Sequence, residues 1–236
     1  MKNLHDLLQP FRLRRYGSTA RRAARQILKG LRYFDVDLVF DVGANTGQFA
    51  KLIRASGYDG SIVSFEPLSD AYQELVQASA GDDTWSVHSR CALGDFDGEL
   101  EINVAGNSES SSPLQMTSLH SSAAPGSAIV GQEVAPAFKL DSIASSYLAG
   151  ANRPFLKIDT QGYEWQVLAG ASQTLPQLTG VLCEMSLVTL YEGQKLWREI
   201  IDFLEAAGFT LWGLQPGFMD GRDGRTLQVD GIFFRV

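Results

Sequence analysis

Apolar positions along this 236-residue chain alternate between two periods. Short apolar runs at Leu38–Val42, Ser61–Phe65, Phe155–Ile158 and Val181–Glu184 have the length and flanking turn residues of buried strands. Between them, helical spacing predicts helices from about Gly47 to Ser56 and over Ser69–Ser79, the latter opened by Ser69-Asp70 as a cap. Further helices are expected from Tyr163 to Ala169 and over Lys195–Ala207, where Gly208 stops the pattern. Trp85–Arg90 reads as a strand, and Glu99–Val104 as a hairpin arm after the turn Gly94-Asp95-Phe96-Asp97-Gly98. Phe209–Leu214 and Gly231–Val236 read as a terminal antiparallel pair. Strand, helix, strand repeated in this way predicts an α/β fold: a mostly parallel, seven-stranded sheet with helices on both faces. Residues 105–135 break the rhythm with Ser, Gly, Ala and Pro, and are expected to form a long loop that serves the substrate.

Ahead of the first strand, apolar residues at Leu4, Leu7, Leu8 and Phe11, then at Ala20, Ala24, Ile27, Leu28 and Leu31, predict two amphipathic helices interrupted near Pro10 and Tyr16-Gly17. The expected organisation is therefore a helical segment over residues 1–36 and one domain over residues 37–236. Residues 1–32 hold nine Lys or Arg against one acid, Asp6, while the whole chain carries a formal charge of −7. The body is thus strongly acidic, which argues against nucleic acid as a partner, because phosphate binding needs a continuous positive surface. The basic segment reads first as a solvated helix face, and more sharply as a contact for an anionic membrane or glycolipid. No apolar run approaches a membrane span, and Met1–Asp6 lacks the apolar core of a signal peptide. Cys91 and Cys183 match no metal or redox spacing. Two isolated thiols suit a reducing compartment, so the expected location is cytoplasmic.

The chemistry gathers at the carboxyl ends of the strands, where ligands of such sheets bind. The first turn, Gly43-Ala44-Asn45-Thr46-Gly47, spaces its glycines four apart. A dinucleotide fingerprint needs G-x-G-x-x-G, and here Asn45 occupies the second glycine's place. The turn can still bring backbone N–H groups to a ligand at a helix N-terminus, but favours a smaller group than a pyrophosphate. Asp41 just before it could hold an ammonium group, and Glu66 ends the next strand where it could accept ribose hydroxyls. Together these specify S-adenosylmethionine better than NAD.

The same residues carry a family resemblance. Asp41-Val42-Gly43-Ala44-Asn45-Thr46-Gly47, Phe65-Glu66-Pro67 and Leu156-Lys157-Ile158-Asp159-Thr160-Gln161-Gly162-Tyr163-Glu164 resemble the signature turns of the FkbM-type methyltransferases. Val167-Leu168-Ala169-Gly170-Ala171, Ala92-Leu93-Gly94-Asp95 and Lys139-Leu140-Asp141-Ser142 are also similar, in the same order. The resemblance covers residues 38–236. It implies a class I methyltransferase, Rossmann-like fold, S-adenosylmethionine as donor and an alcohol or sugar hydroxyl as acceptor. By position, Asp41, Gly43, Ala44, Asn45, Gly47 and Glu66 would form the donor site, with Arg90, Cys91 and Ala92 near the adenine and Asp159 within reach.

Methyl transfer to oxygen needs alignment and a group to take the proton. Asp159, ending the Phe155–Ile158 strand, is the first candidate base, followed by Glu184 at the next strand end and His120 in the insert, a histidine with loop placement. Glu164 reads chiefly as a helix cap. The carboxylates could also hold a divalent ion that polarises the acceptor. Asn107, Ser110, Ser111 and Ser112 could bind a polyhydroxylated acceptor, with Tyr191 and Glu192 as secondary candidates, and Trp212 could stack on a sugar. The leading function is O-methylation of a sugar, glycolipid, polysaccharide or other secondary alcohol. The alternatives are N-methylation of a small amine, an NAD-binding oxidoreductase and a catalytically silent binding module.

Overall fold

In a computed structural model, residues 17–236 are described here. The chain runs α1 (Ser18–Tyr33), β1 (Leu38–Val42), α2 (Gln48–Ser56), β2 (Ser61–Phe65), α3 (Ser69–Ser79), β3 (Trp85–Val87), β4 (Ala92–Leu93) and β5 (Gly98–Ala105). It continues through α4 (Ser118–Ala123), β6 (Ile129–Phe138), α5 (Leu140–Ile143), α6 (Ser145–Leu148), β7 (Pro154–Ile158) and α7 (Glu164–Ala169). The last elements are β8 (Gly180–Ser186), α8 (Trp197–Ala206), β9 (Thr210–Pro216) and β10 (Gln228–Phe234). Seven strands form one sheet in the order β3-β2-β1-β7-β8-β10-β9. The first five are parallel, and β10 lies antiparallel to both β8 and β9.

Alternate strand residues feed two cores, as the two-residue period of a strand requires. Phe40, Leu156, Val181 and Phe233 pack on one face with Val167 and Leu168 of α7 and Ile200 and Leu204 of α8. Val39, Phe155, Leu182, Ile232 and Phe234 pack on the other with Ala50 and Ile53 of α2. All five residues of β1 and of β7 are buried, which explains why their sequences are continuous apolar runs with one polar exception each, Asp41 and Lys157. Strand order reverses between these two strands: β2 and β3 lie to one side of β1, while β7 and β8 lie to the other. That crevice is where ligands of open α/β sheets bind.

The second of the two expected N-terminal helices is α1; the first lies outside the described residues. Ile27, Leu28 and Leu31 of α1 are buried in the same cluster as Ile232 and Phe234, while Arg22, Arg25, Lys29 and Arg32 face solvent. Burying a leucine of this kind is worth roughly 1.5–3 kcal/mol, so α1 is held as part of the domain's core.

The insert departs from the sequence expectation. Far from being an irregular loop throughout, it contains α4 and most of β6, a ten-residue strand paired antiparallel with β5 from Gly98↔Ala137 to Ala105↔Ile129. Its Gly, Ala and Pro content conceals it, because the pairing is supplied by a partner far away in the chain. The turn before β5 is likewise no hairpin: β4 and β5 flank β6 on opposite sides in a separate three-stranded sheet. The inner face of this sheet presents Leu100 and Ile102 to the crevice at the β1–β7 junction.

Candidate active site

A cavity of about 440 Å³ opens at the carboxyl ends of β1, β2, β7 and β8, within the size range of small-molecule sites. Gly43, Ala44 and Asn45 of the turn after β1 line it, with Glu66 from the end of β2 and Cys91 and Ala92 beyond β3. Asp159, Gln161, Glu184 and Gln228 line the opposite side, and Asn107, Ser108, Glu109 and His120 of the insert border it.

The first turn is shaped by the protein's own backbone. Gly43 has φ +69°, and a Cβ there would stand 1.8 Å from the Asp159 carbonyl oxygen. Gly47 has φ +85°, and its Cβ would press on the Trp85 ring at 2.8 Å. Between them Asn45 is left-handed at φ +47°, a conformation asparagine tolerates, and its Oδ1 accepts from Thr46 N at 2.8 Å. The glycines therefore let the turn lie directly against the end of β7, bringing Asp159 beside it.

Asp41 is not where the sequence reading put it. Its side chain is fully buried, does not line the cavity, and forms an ion pair with Lys157 Nζ at 3.1 Å. Ser64 Oγ donates to it at 3.1 Å, and Trp85 Nε1 donates to Ser64. The reason is the pleat: Asp41 and Lys157 are register partners on adjacent buried strands, facing the same side. Lys157 also donates to the carbonyls of Val42 and Gly43, at 3.2 and 2.9 Å. Burial works against its charge, but Asp41 and Asp159 outweigh it and raise its pKa. Asp41 thus supports the turn from beneath through a lysine that sequence reasoning overlooked; an isolated lysine inside an apolar strand was the available signal.

Glu66 does line the cavity and is almost fully buried. Its two oxygens accept from Asn45 N at 2.8 Å and Leu68 N at 2.9 Å. Burial raises its pKa to about 7 against those hydrogen bonds. Cys91 is buried and its thiol is pushed up to about 12, so it serves as apolar wall. Arg90 is committed to Glu133, the Pro67 carbonyl and the Val134 carbonyl. Phe65, Leu93, Leu100 and Ile102 complete this apolar end.

At the other end, Asp159 is the open carboxylate, with 40% of its side chain exposed and Lys157 Nζ 3.9 Å away. Gln161 Nε2 donates to Asp159 Oδ1 and to Glu184 Oε2, both at 2.8 Å. Gln228 Nε2 donates to the same Glu184 oxygen at 2.7 Å. Burial, then Asp159 and Glu164, raise the Glu184 pKa well above the carboxylate range. Glu164 accepts from Thr160 N and Gly162 N and caps its own helix's approach, with burial raising its pKa to about 7.

His120 differs from its expected loop placement. It sits in α4, is buried, and stands 3.1 Å from Ser127 Oγ and 3.3 Å from the Tyr191 hydroxyl. Burial lowers its pKa. With both ring nitrogens engaged, it braces the insert against Tyr191. Ser111 and Ser112 are structural too, bonding Ala105 N and the Gln161 carbonyl. Trp212 stands outside the cavity lining and packs with Tyr33, Phe34 and Phe234. The insert does reach the first turn, where Asn45 Nδ2 donates to Ser108 Oγ and Gln48 Nε2 to Glu109 Oε1, both at 3.0 Å.

Among the described residues no group of three His, Cys, Asp or Glu side chains is arranged to hold a metal. The carboxylates at the Asp159 end of the cavity are instead held by amide N–H groups, Gln161 donating to Asp159 and Glu184, and Gln228 to Glu184.

These elements recur in known proteins. The sequence profile of the methyltransferase FkbM domain matches residues 41–211, from Asp41 of β1 to Leu211 of β9. The chain belongs to the FkbM methyltransferase family. It is therefore a methyltransferase, and its seven-stranded sheet, with antiparallel β10 set between β8 and the edge strand β9, is the fold of that enzyme class. No curated protein matches it significantly in sequence. Among solved structures, this methyltransferase is similar to magnesium protoporphyrin IX methyltransferase from Synechocystis with bound SAM, at 11% identity and a TM-score of 0.47, covering 92% of this chain and 79% of that one. Fibrillarin from Aeropyrum pernix in complex with S-adenosyl-L-methionine is similar at 11% identity and 0.44, covering 83% and 66%. TehB from Haemophilus influenzae is similar at 7% identity and 0.48, covering 89% and 61%.

Proposed function

We propose that this enzyme transfers a methyl group from S-adenosylmethionine to a hydroxyl of a sugar or related polyhydroxylated acceptor. The observation that carries the reading is Asp159, a half-exposed carboxylate that the glycine turn holds beside the cavity. The residues present fit the donor. The apolar end, walled by Phe65, Leu93, Leu100 and Ile102, suits a purine, and Glu66 at its edge suits ribose hydroxyls. The turn at the start of α2 suits the amino-acid end. When bound, the donor supplies an electrophilic methyl on a sulfonium, which leaves as a neutral thioether.

What remains for the protein is alignment and one proton. Asp159 takes the acceptor hydroxyl's proton as the oxygen–methyl bond forms, and passes it to solvent through its exposed side. Lys157, 3.9 Å away, keeps that carboxylate from being isolated among the other acids. Glu184 stands beside it with two amide donors on Oε2, while burial raises its pKa. Such proton transfer contributes roughly 10²–10⁴-fold. Asn107, Ser108 and Gln228 offer the amide and hydroxyl groups that a sugar acceptor would meet. The exposed Arg22, Arg25, Lys29 and Arg32 of α1 support contact of that face with anionic lipid or glycolipid, to be read by flotation with anionic against neutral vesicles.

The test is a homocysteine-release assay over saccharides, nucleotide sugars, other secondary alcohols and small amines. Turnover with hydroxyl acceptors supports the reading. Turnover confined to amines would replace it with N-methylation.

A further inference from the structure

Beyond Asp159 itself, the turn after β7 holds a residue whose contacts exceed what folding of the turn requires. Gln161 is left-handed at φ +54°, and Gly162 follows at +94°. A left-handed glutamine costs about 1 kcal/mol or more and persists only where its surroundings impose it. Here they do. Ser112 Oγ donates to the Gln161 carbonyl at 2.7 Å, and Gly162 lies so close to the Tyr191 ring that a Cβ would stand 2.9 Å from it. This curl turns the Gln161 side chain back over the strand ends.

Its amide can then point only one way. On one side are two carboxylate oxygens, Asp159 Oδ1 and Glu184 Oε2, each 2.8 Å from the nitrogen. On the other is the buried Tyr191 hydroxyl, 3.1 Å from the amide oxygen. A flipped amide would set its oxygen against two carboxylate oxygens and lose both contacts, whereas the phenol, donor and acceptor both, can meet either end of the amide. Tyr191 is itself tied to the insert, its hydroxyl lying 3.0 Å from the Ser110 carbonyl and 3.3 Å from His120 Nε2.

We infer that Gln161 is the positioning residue of this site: its amide spans Asp159 and Glu184, fixes the geometry of the carboxylate that faces the acceptor, and links it through Tyr191 to the insert. The inference rests on the proposed role of Asp159. A donor shared between two carboxylates favours their ionised forms and fixes which oxygen of each remains free. Asp159 keeps Oδ2 on the Lys157 side, and both Glu184 contacts fall on Oε2. The groups that face this pair are Lys157 on β7, Glu164 on α7, Asp230 on β10, Tyr191 after β8 and, beneath Lys157, Asp41 on β1. Gln161 is the neutral group that lies between the two carboxylates.

The test is carboxyl-detected NMR titration of the ¹³C-labelled full chain, with Asp159→Asn used to assign Asp159, beside calorimetry with S-adenosylhomocysteine. In Gln161→Leu the Asp159 midpoint should rise by about one unit, while S-adenosylhomocysteine affinity changes by less than about threefold. Gln161→Glu keeps size and turn but trades the donor for an acceptor, and should raise the midpoint further. Tyr191→Phe keeps the ring and frees the amide; it gives a smaller shift in the same direction and serves where the Leu variant does not fold. An Asp159 midpoint unchanged in the folded variants overturns the inference. Absent S-adenosylhomocysteine binding in the parent protein would instead count against the methyl-donor reading, leaving the titration readable.

Discussion

The two turns that meet at the cavity, one after β1 and one after β7, are built by opposite means. The first owes its shape to residues within five positions of one another: Gly43, Asn45 and Gly47 take left-handed conformations that these residue types reach at low cost. The second places a left-handed glutamine before its glycine and depends on Ser112, Tyr191, Glu184 and Gln228 from three distant segments. Local chemistry fixes where a donor would lie. Long-range packing fixes what stands opposite it across the cavity.

Breaking the first turn should have the largest effect. Gly43→Ala sets a methyl against the Asp159 carbonyl at a positive φ, and should either prevent folding or cost several kcal/mol with loss of S-adenosylhomocysteine binding, as read by urea unfolding. Asp41→Ala comes next. It strands the Lys157 ammonium in a buried position and should cost about 3–5 kcal/mol; a change below 1 kcal/mol would mean the pair does not support the turn. On the other side, Asp159→Asn should reduce turnover at least about 100-fold with donor affinity retained, since its change lies outside the turn's own backbone bonds.

That asymmetry also sets what was legible in sequence. The seven-stranded sheet, the glycine turn and the positions of Glu66 and Asp159 just past β2 and β7 follow from apolar runs and from residues adjacent in the chain. Glu184, expected to end its strand, lies within β8, which runs on to Ser186 through its pairing with β10. Asp41 was misread because its partner is 116 residues away: an acid before a glycine turn suggests a ligand contact, and only the β1–β7 register reveals Lys157 beside it. β6 was hidden for the same reason, its pairing with β5 being the source of its order. His120 looked like a free base in a serine-rich loop, yet α4 buries it against Tyr191. Gln161 carries no sequence signal apart from the following glycine.

A smaller effect, shared by the two halves, is read by pH. Burial raises Glu66, Glu164 and Asp230 to about 7, above their unfolded values near 4. Carboxyls raised in this way stabilise the fold fully below about pH 4, and that contribution is lost as pH rises through about 7. The melting midpoint of the ligand-free protein should therefore fall between pH 5.5 and pH 8. Glu66→Gln should reduce this fall while weakening S-adenosylhomocysteine binding about tenfold, the loss expected for one charged hydrogen-bonding group.

The central claim, that the cavity between the β1 and β7 turns receives S-adenosylmethionine, is tested most directly by calorimetry of the full chain with S-adenosylhomocysteine and, separately, with NAD. The account predicts one S-adenosylhomocysteine site per chain, weakened by Glu66→Gln and retained in Asp159→Asn, with no heat from NAD. Tight NAD binding without S-adenosylhomocysteine binding would contradict it.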